Sequence, residues 1–131
     1  MEKLFSNREF KIIVLILIIL IIVLVYMKSS QKSVVLIEDK SDFSEILNQQ
    51  DIVIIDVRSE SEYNEGHILK AINIPYNELN SKVKYDKKMK IVVYSKNDAR
   101  SHMASTILED MGYTNIYEAD MTDYDGKLVK S

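Results

Sequence analysis

Ile12 to Met27 reads IIVLILIILIIVLVYM, sixteen residues without a charged or strongly polar side chain. Such a run has no polar face to turn toward water, so it does not suit the amphipathic helix or half-buried strand of a small soluble domain. As a helix, a run of sixteen residues extends about 24 Å at about 1.5 Å per residue. The hydrocarbon core is roughly 30 Å thick, and Phe10, Lys11 and Lys28 can extend the span by snorkelling. Tyr26 stands where an interfacial aromatic belongs. A cleaved signal peptide shares the basic start and apolar middle, but the following MKSSQKS offers no A-x-A-like site. The segment reads as a single-pass membrane anchor over 12–27, preceded by a tail over 1–11. A linker over 28–33 then leads to a domain over 34–131. Between Lys11 and Lys28 there is no Gly, Ser, Thr or ionisable residue. Neither small-residue helix packing nor an ion path is indicated, so transport is excluded.

Charge divides the chain. Of 17 Lys and Arg and 20 Asp and Glu, five and two fall within residues 1–32, leaving twelve and eighteen for residues 33–131. The domain is therefore acidic and lacks a basic stripe, which argues against nucleic acid and against lying flat on anionic lipid. The positive-inside rule compares Lys3, Arg8 and Lys11 before the span with Lys28, Lys32 and Lys40 after it, and leans toward an extracytoplasmic domain on a cell membrane. The absence of cysteine fits that side. The abundance of Ile, Lys and Asn is that of a bacterial protein from an AT-rich genome.

The domain alternates short branched-aliphatic runs with helical patterns. Strands are expected at Val34–Glu38, Ile52–Asp56, Ala71–Ile74, Lys90–Tyr94 and Asn115–Tyr117. IVII and IVVY are apolar on both faces, as in parallel strands covered by helices. Ser41 or Asp42 can cap a helix over Phe43–Asn48, and Ser59 with Glu62 forms a capping box. Gly66 and Gly112 fall where C-caps belong, Pro75 ends a strand, and Asp98 or Ala99 opens a long helix through about Met111. The expected architecture is a small α/β domain of about five mostly parallel strands flanked by helices, preceded by the one transmembrane helix. Ligands in such sheets bind outside the carboxyl ends of the strands, here after Asp56 and after Tyr94.

Asp56-Val57-Arg58, Glu62-Tyr63, Gly66-His67-Ile68, Ala71 and Asn73-Ile74-Pro75 follow the pattern D-x-R…E-[YF]-x-x-G-H-I-x-x-A-x-N-[IV]-P position for position. In this the chain resembles the rhodanese-like (sulfurtransferase) family, and KIVVYSKNDARSHMASTILEDMGYTNIY resembles that family's strand, active loop and following helix. The resemblance covers nearly all of residues 33–131. It implies a C-x-x-x-x-R loop, which here reads Ser95, Lys96, Asn97, Asp98, Ala99 and Arg100. That length matches the sulfurtransferases and not the related phosphatases, whose loop is one residue longer. Loop N–H groups curled at a helix N-terminus favour an anion, and the family's thiolate carries sulfur there as a persulfide. Ser95 cannot do so, because a hydroxyl ionises far above neutrality and forms no stable oxygen analogue of a persulfide. Asp98 opposes an anion unless Lys96 or Arg100 neutralises it. Relatives often carry Gly-Gly and then Trp near the C-terminus, where this chain has Ala119-Asp120 and then Tyr124.

The expected roles follow. Asp56 and Arg58 pair with each other or with loop backbone, and His67 is structural. Glu60, Glu62 and Glu65 form a solvated first turn, and His102 faces solvent. Two histidines thirty-five positions apart form no metal set, and no cofactor is implied. No catalytic residue is expected, Ser95 marking a degenerate nucleophile position. For Ser95 to Arg100 two readings stand together: a relic retained for backbone shape, or a non-covalent site for an oxyanion, a persulfide or a partner's carboxylate. The expected function is that of a membrane-anchored pseudoenzyme acting as a binding or regulatory module. The alternatives are a sulfurtransferase-related enzyme that uses a partner's thiol, and a purely structural protein-interaction domain.

Overall fold

In a computed structural model, which describes residues 6–29, 32–96 and 98–131, the chain divides into two units, residues 1–32 and 33–131. The first is carried by one helix, α1 (Asn7–Ser29). It begins earlier than the apolar run because Ser6 and Glu9 form a capping box: Glu9 N–H donates to Ser6 Oγ and Ser6 N–H to Glu9 Oε2, each at 3.2 Å. Its 23 residues rise about 35 Å, longer than the apolar run alone. It is the one helix among the described residues that is long and apolar enough to cross a membrane, and none of its residues is buried by protein. Residues 30 and 31 of the expected linker lie outside the described residues, as do residues 1–5 and Asn97.

The second unit is a five-stranded, wholly parallel sheet of order β1-β5-β4-β2-β3. Its strands are β1 (Val34–Leu36), β2 (Ile52–Asp56), β3 (Ile72–Asn73), β4 (Lys90–Ser95) and β5 (Ile116–Asp120). The helices are α2 (Lys40–Leu47), α3 (Glu60–Glu65), α4 (Leu79–Lys82) and α5 (Asp98–Asp110), with 3-10 turns at Tyr76–Glu78 and Met121–Asp123. The alternation along β2 and β4 divides their side chains between two cores. Ile55, Ile91 and Val93 pack with Leu79, Ala104, Leu108 and Tyr113 on one face. Ile54, Val92 and Tyr94 pack with Phe43, Ile46 and Ile68 on the other. Both faces are thus covered, which is why these strands are apolar at successive positions.

Several boundaries differ from expectation for local reasons. Asp39, not Ser41 or Asp42, caps α2: its Oδ1 accepts from Asp42 N–H at 2.9 Å and from the Ser41 hydroxyl at 2.7 Å. β1 stops at Leu36 rather than Glu38, β3 is only Ile72–Asn73, and β4 runs one residue further, to Ser95. β5 continues to Asp120 although Glu118 interrupts its apolar pattern. The Glu118 carboxylate is buried but accepts a 2.6 Å bond from Ser105 Oγ, and this satisfies it inside the sheet. At the end of α5, Gly112 has φ of 96°, with Gly112 N–H on Glu109 O and Tyr113 N–H on Leu108 O, a Schellman closure. Gly66 follows α3 in an extended conformation instead, its N–H on Tyr63 O.

Leu108 is fully buried between α5 and the sheet. Leu108→Ala is expected to cost about 3 kcal/mol in a denaturant melt of the domain. A loss under about 1 kcal/mol would show that this core is not packed as described.

Candidate functional site

The site is built on Asp56, the last residue of β2, whose carboxylate is wholly buried. Its Oδ1 accepts from Arg58 N–H and Arg58 Nε, each at 3.0 Å. Its Oδ2 accepts from Arg58 Nη2 at 2.6 Å and from the Tyr94 hydroxyl at 2.8 Å. Arg58 Nη2 also donates to Gly66 O at 2.7 Å, and Ile68 N–H donates to the Tyr94 oxygen at 3.1 Å. Burial and the neighbouring Asp56 carboxylate push the Tyr94 hydroxyl up, so it stays protonated and donates. Burial opposes the Arg58 charge, but the bond and attraction from Asp56 outweigh it and raise the guanidinium. Asp56 and Arg58 therefore hold each other and the loop backbone.

Asn73 extends the same frame, its Nδ2 donating to the carbonyls of Asp56 and Arg58 at 3.1 and 3.0 Å. Pro75 leads from β3 into the turn at Tyr76. His67 is buried; its Nδ1 lies 2.8 Å from Tyr63 O, and the ring stacks on Tyr63 at 3.7 Å between centroids. A carbonyl only accepts, so the Nδ1 proton lies on that bond, which together with the stacking fixes the orientation of the ring. Gly66 and His67 also hold the C-terminal tail. His67 and Val129 exchange two backbone hydrogen bonds of 2.9 Å, and Leu128 comes against Gly66. The tail is thereby pinned beside Gly66 and His67 as a wall. Tyr124 packs edge-on against Phe43 at 6.2 Å.

At the end of β4, Ser95 is wholly buried and lies beside Asp120 in the β4–β5 ladder. Lys96 is exposed and, among the described residues, makes no ion pair. Asn97 lies outside the described residues, as does the Asp98 side chain; Asp98 and Ala99 open α5, and Arg100 stands in its first turn. Arg100 clamps Glu62 in two parallel bonds, Nη1 to Oε2 at 2.7 Å and Nη2 to Oε1 at 3.0 Å. Glu62 also closes the capping box of α3, accepting from Ser59 N–H and Oγ at 3.0 and 2.9 Å. The expectation that Glu62 belongs to a merely solvated turn is thus corrected. The partner that gives it this role sits 38 residues away in sequence, where local spacing carries no signal. His102 is largely exposed, as expected, though its Nδ1 reaches Glu118 at 3.4 Å.

These elements border a cleft of about 500 Å³. Arg58, Glu62, Glu65, Lys96 and Thr122 supply its polar lining, and Met121, Tyr124 and Leu128 its apolar lining. Since Arg58 and Arg100 are each tied to a carboxylate, Lys96 is the cation most available to a ligand there.

The Arg100 clamp holds the Glu62 carboxyl at about 2, well below its ordinary value of 4.5. A carboxylate depressed in the fold contributes stability above its unfolded pKa and loses it as pH falls through the folded one. Both side chains are about a third exposed or less, so solvent reduces the contribution to about 1 kcal/mol. Glu62→Gln is expected to melt below the parent at pH 6, with the gap closing between pH about 4.5 and about 2. A gap independent of pH would contradict this.

Comparison with known proteins places this geometry. The family model of the rhodanese-like domain matches residues 39–121. The thiosulfate sulfurtransferase PspE of Escherichia coli is 37% identical over 68 residues, covering 50% of this chain and 65% of that protein. The tRNA uridine(34) hydroxylase of Aster yellows witches'-broom phytoplasma is 30% identical over 105 residues, and the match covers 70% of this chain. It spans only 34% of that enzyme's length. Among solved structures, a rhodanese with anions from E. coli superposes with a TM-score of 0.55 at 32% identity, covering 61% of this chain and 99% of that one. The Alr3790 protein of Anabaena shares the fold, with a TM-score of 0.66 at 24% identity over 72% of this chain and 82% of that one. The chain belongs to the rhodanese-like domain family, and it does so without a cysteine anywhere in its 131 residues.

Proposed function

We propose that this protein is a membrane-tethered, non-catalytic rhodanese-like module that binds an anionic group in the cleft beside residues 95–100 without capturing it covalently. The observation that carries this reading is the combination at the end of β4. The frame around Asp56 is complete, yet the nucleophile position holds a buried serine. Thiolate chemistry needs a group that ionises near neutrality, and no cysteine is present to supply one. What the loop can still offer is backbone N–H groups near the start of α5 and the ammonium of Lys96. Thiosulfate, sulfate, phosphate, or a partner's carboxylate or persulfide fits that chemistry. The E. coli relative, a rhodanese with anions, supports the choice. α1, apolar on every face from Ile12 to Met27, would hold the module at a bilayer.

The sulfurtransferase relative supports a second reading, in which a partner supplies the thiol and the cleft positions its persulfide. It is distinguished by sulfur transfer that requires an added cysteine-containing protein.

The experiment is a thiosulfate:cyanide sulfurtransferase assay on the purified protein and on Ser95→Cys. The parent is expected to be silent and Ser95→Cys to gain activity, since the frame and loop length are those of an active member. Turnover by the parent alone would overturn the non-catalytic reading. Silence in a folded Ser95→Cys would count against a retained anion pocket.

A further inference from the structure

β1 is an edge strand with one free side. Among the described residues its only pairing is with β5, and the other edge of the sheet is the two-residue β3. Ile116 N–H bonds to Ser33 O and Ile37 N–H to Glu118 O, so the odd-numbered residues turn their backbone groups toward β5. By the alternation of a strand, Val34 and Leu36 turn theirs outward. Natural edges are commonly guarded by Lys, Pro or a bulge. This one has no charge and no proline from Ser33 to Ile37, and Val35 and Leu36 are 51% and 58% exposed.

The flanking charges point to the occupant. The stretch reads Lys32-Ser33-Val34-Val35-Leu36-Ile37-Glu38, basic at one end and acidic at the other, with both charged residues exposed. Placed antiparallel to itself about Val35, it sets Lys32 opposite Glu38 of the second copy, twice over. The same register sets the outward backbone of Val34 opposite that of Leu36, where an antiparallel ladder forms its paired hydrogen bonds. Parallel pairing would oppose like charges instead. A shift of two residues would bring Lys32 against Lys40.

We infer that β1 is a self-pairing edge, and that two copies of the chain join their sheets through antiparallel β1 strands centred on Val35. A three-residue strand buries less than the roughly 1,000 Å² of a stable free interface. Pairing therefore depends on confinement. Residues 30–33 alone separate α1 from β1 in sequence, so copies held in one bilayer meet at high effective concentration.

The test uses the full chain in phosphatidylcholine–phosphatidylglycerol vesicles. Because the parent has no cysteine, Val35→Cys carries the sole thiol. Facing residues at that non-hydrogen-bonded pair lie about 4.5 Å apart at Cα, within disulfide reach. Mild oxidation is expected to give covalent dimer faster than Lys84→Cys, an exposed position away from the sheet edge. Adding Glu38→Lys is expected to slow crosslinking about fivefold, and adding Lys32→Glu to that variant to restore it. Matched melts of the variants establish that each is folded. Crosslinking of Val35→Cys no faster than the Lys84→Cys control would overturn the proposal. So would a rate indifferent to the charge reversal, which would indicate collisions driven by the anchor alone.

Discussion

A carboxylate taken wholly out of water is costly unless each lone pair finds a donor, and Asp56 meets that condition inside the sheet. Its donors come from three places: the chain just beyond β2, the guanidinium of Arg58, and the Tyr94 hydroxyl of the neighbouring β4. Arg58 passes the constraint to Gly66, and Tyr94 passes it to Ile68. One buried charge thereby sets the positions of two strand ends and of the loop bordering the cleft. Removal of either partner would leave the other unpaired in a medium that solvates it poorly. This explains why so much of the Asp56 to Pro75 motif is architecture rather than chemistry.

That division separates the frame of the site from its reactivity. Arg58 and Tyr94 close the frame around Asp56 in a chain whose residue 95 is a serine, so the frame stands without a thiol there. Glu62 and Arg100 show the same logic at the rim. Their clamp joins the first turn of α3 to the first turn of α5, and so braces both sides of the loop. It also neutralises the loop arginine, which leaves Lys96 and backbone dipoles as the means of attracting an anion.

The sequence was most legible where one physical rule acted alone. The doublets in β2 and β4 require cover on both faces, and both faces are covered. Ser59 and Glu62 sit at capping-box spacing and make both bonds. Legibility failed where distant partners decide the outcome. Glu118 breaks the apolar pattern of β5 and is tolerated only because Ser105 on α5 reaches it. Asp39 outcompetes Ser41 and Asp42 as a cap because it accepts bonds from both. The wall made by Leu128 and Val129 had no sequence signal, since it rests on backbone bonds to His67.

The central claim is that an intact cleft has been kept for non-covalent use. A nitrogen-15 NMR titration of residues 33–131 with thiosulfate tests it most directly, because every loop amide reports on its own surroundings. The account predicts saturable, rapidly reversible shifts concentrated on the amides of residues 95–100 and on the cleft wall at Met121 and Thr122. Absence of shifts there, or shifts spread evenly over the charged surface, would contradict it.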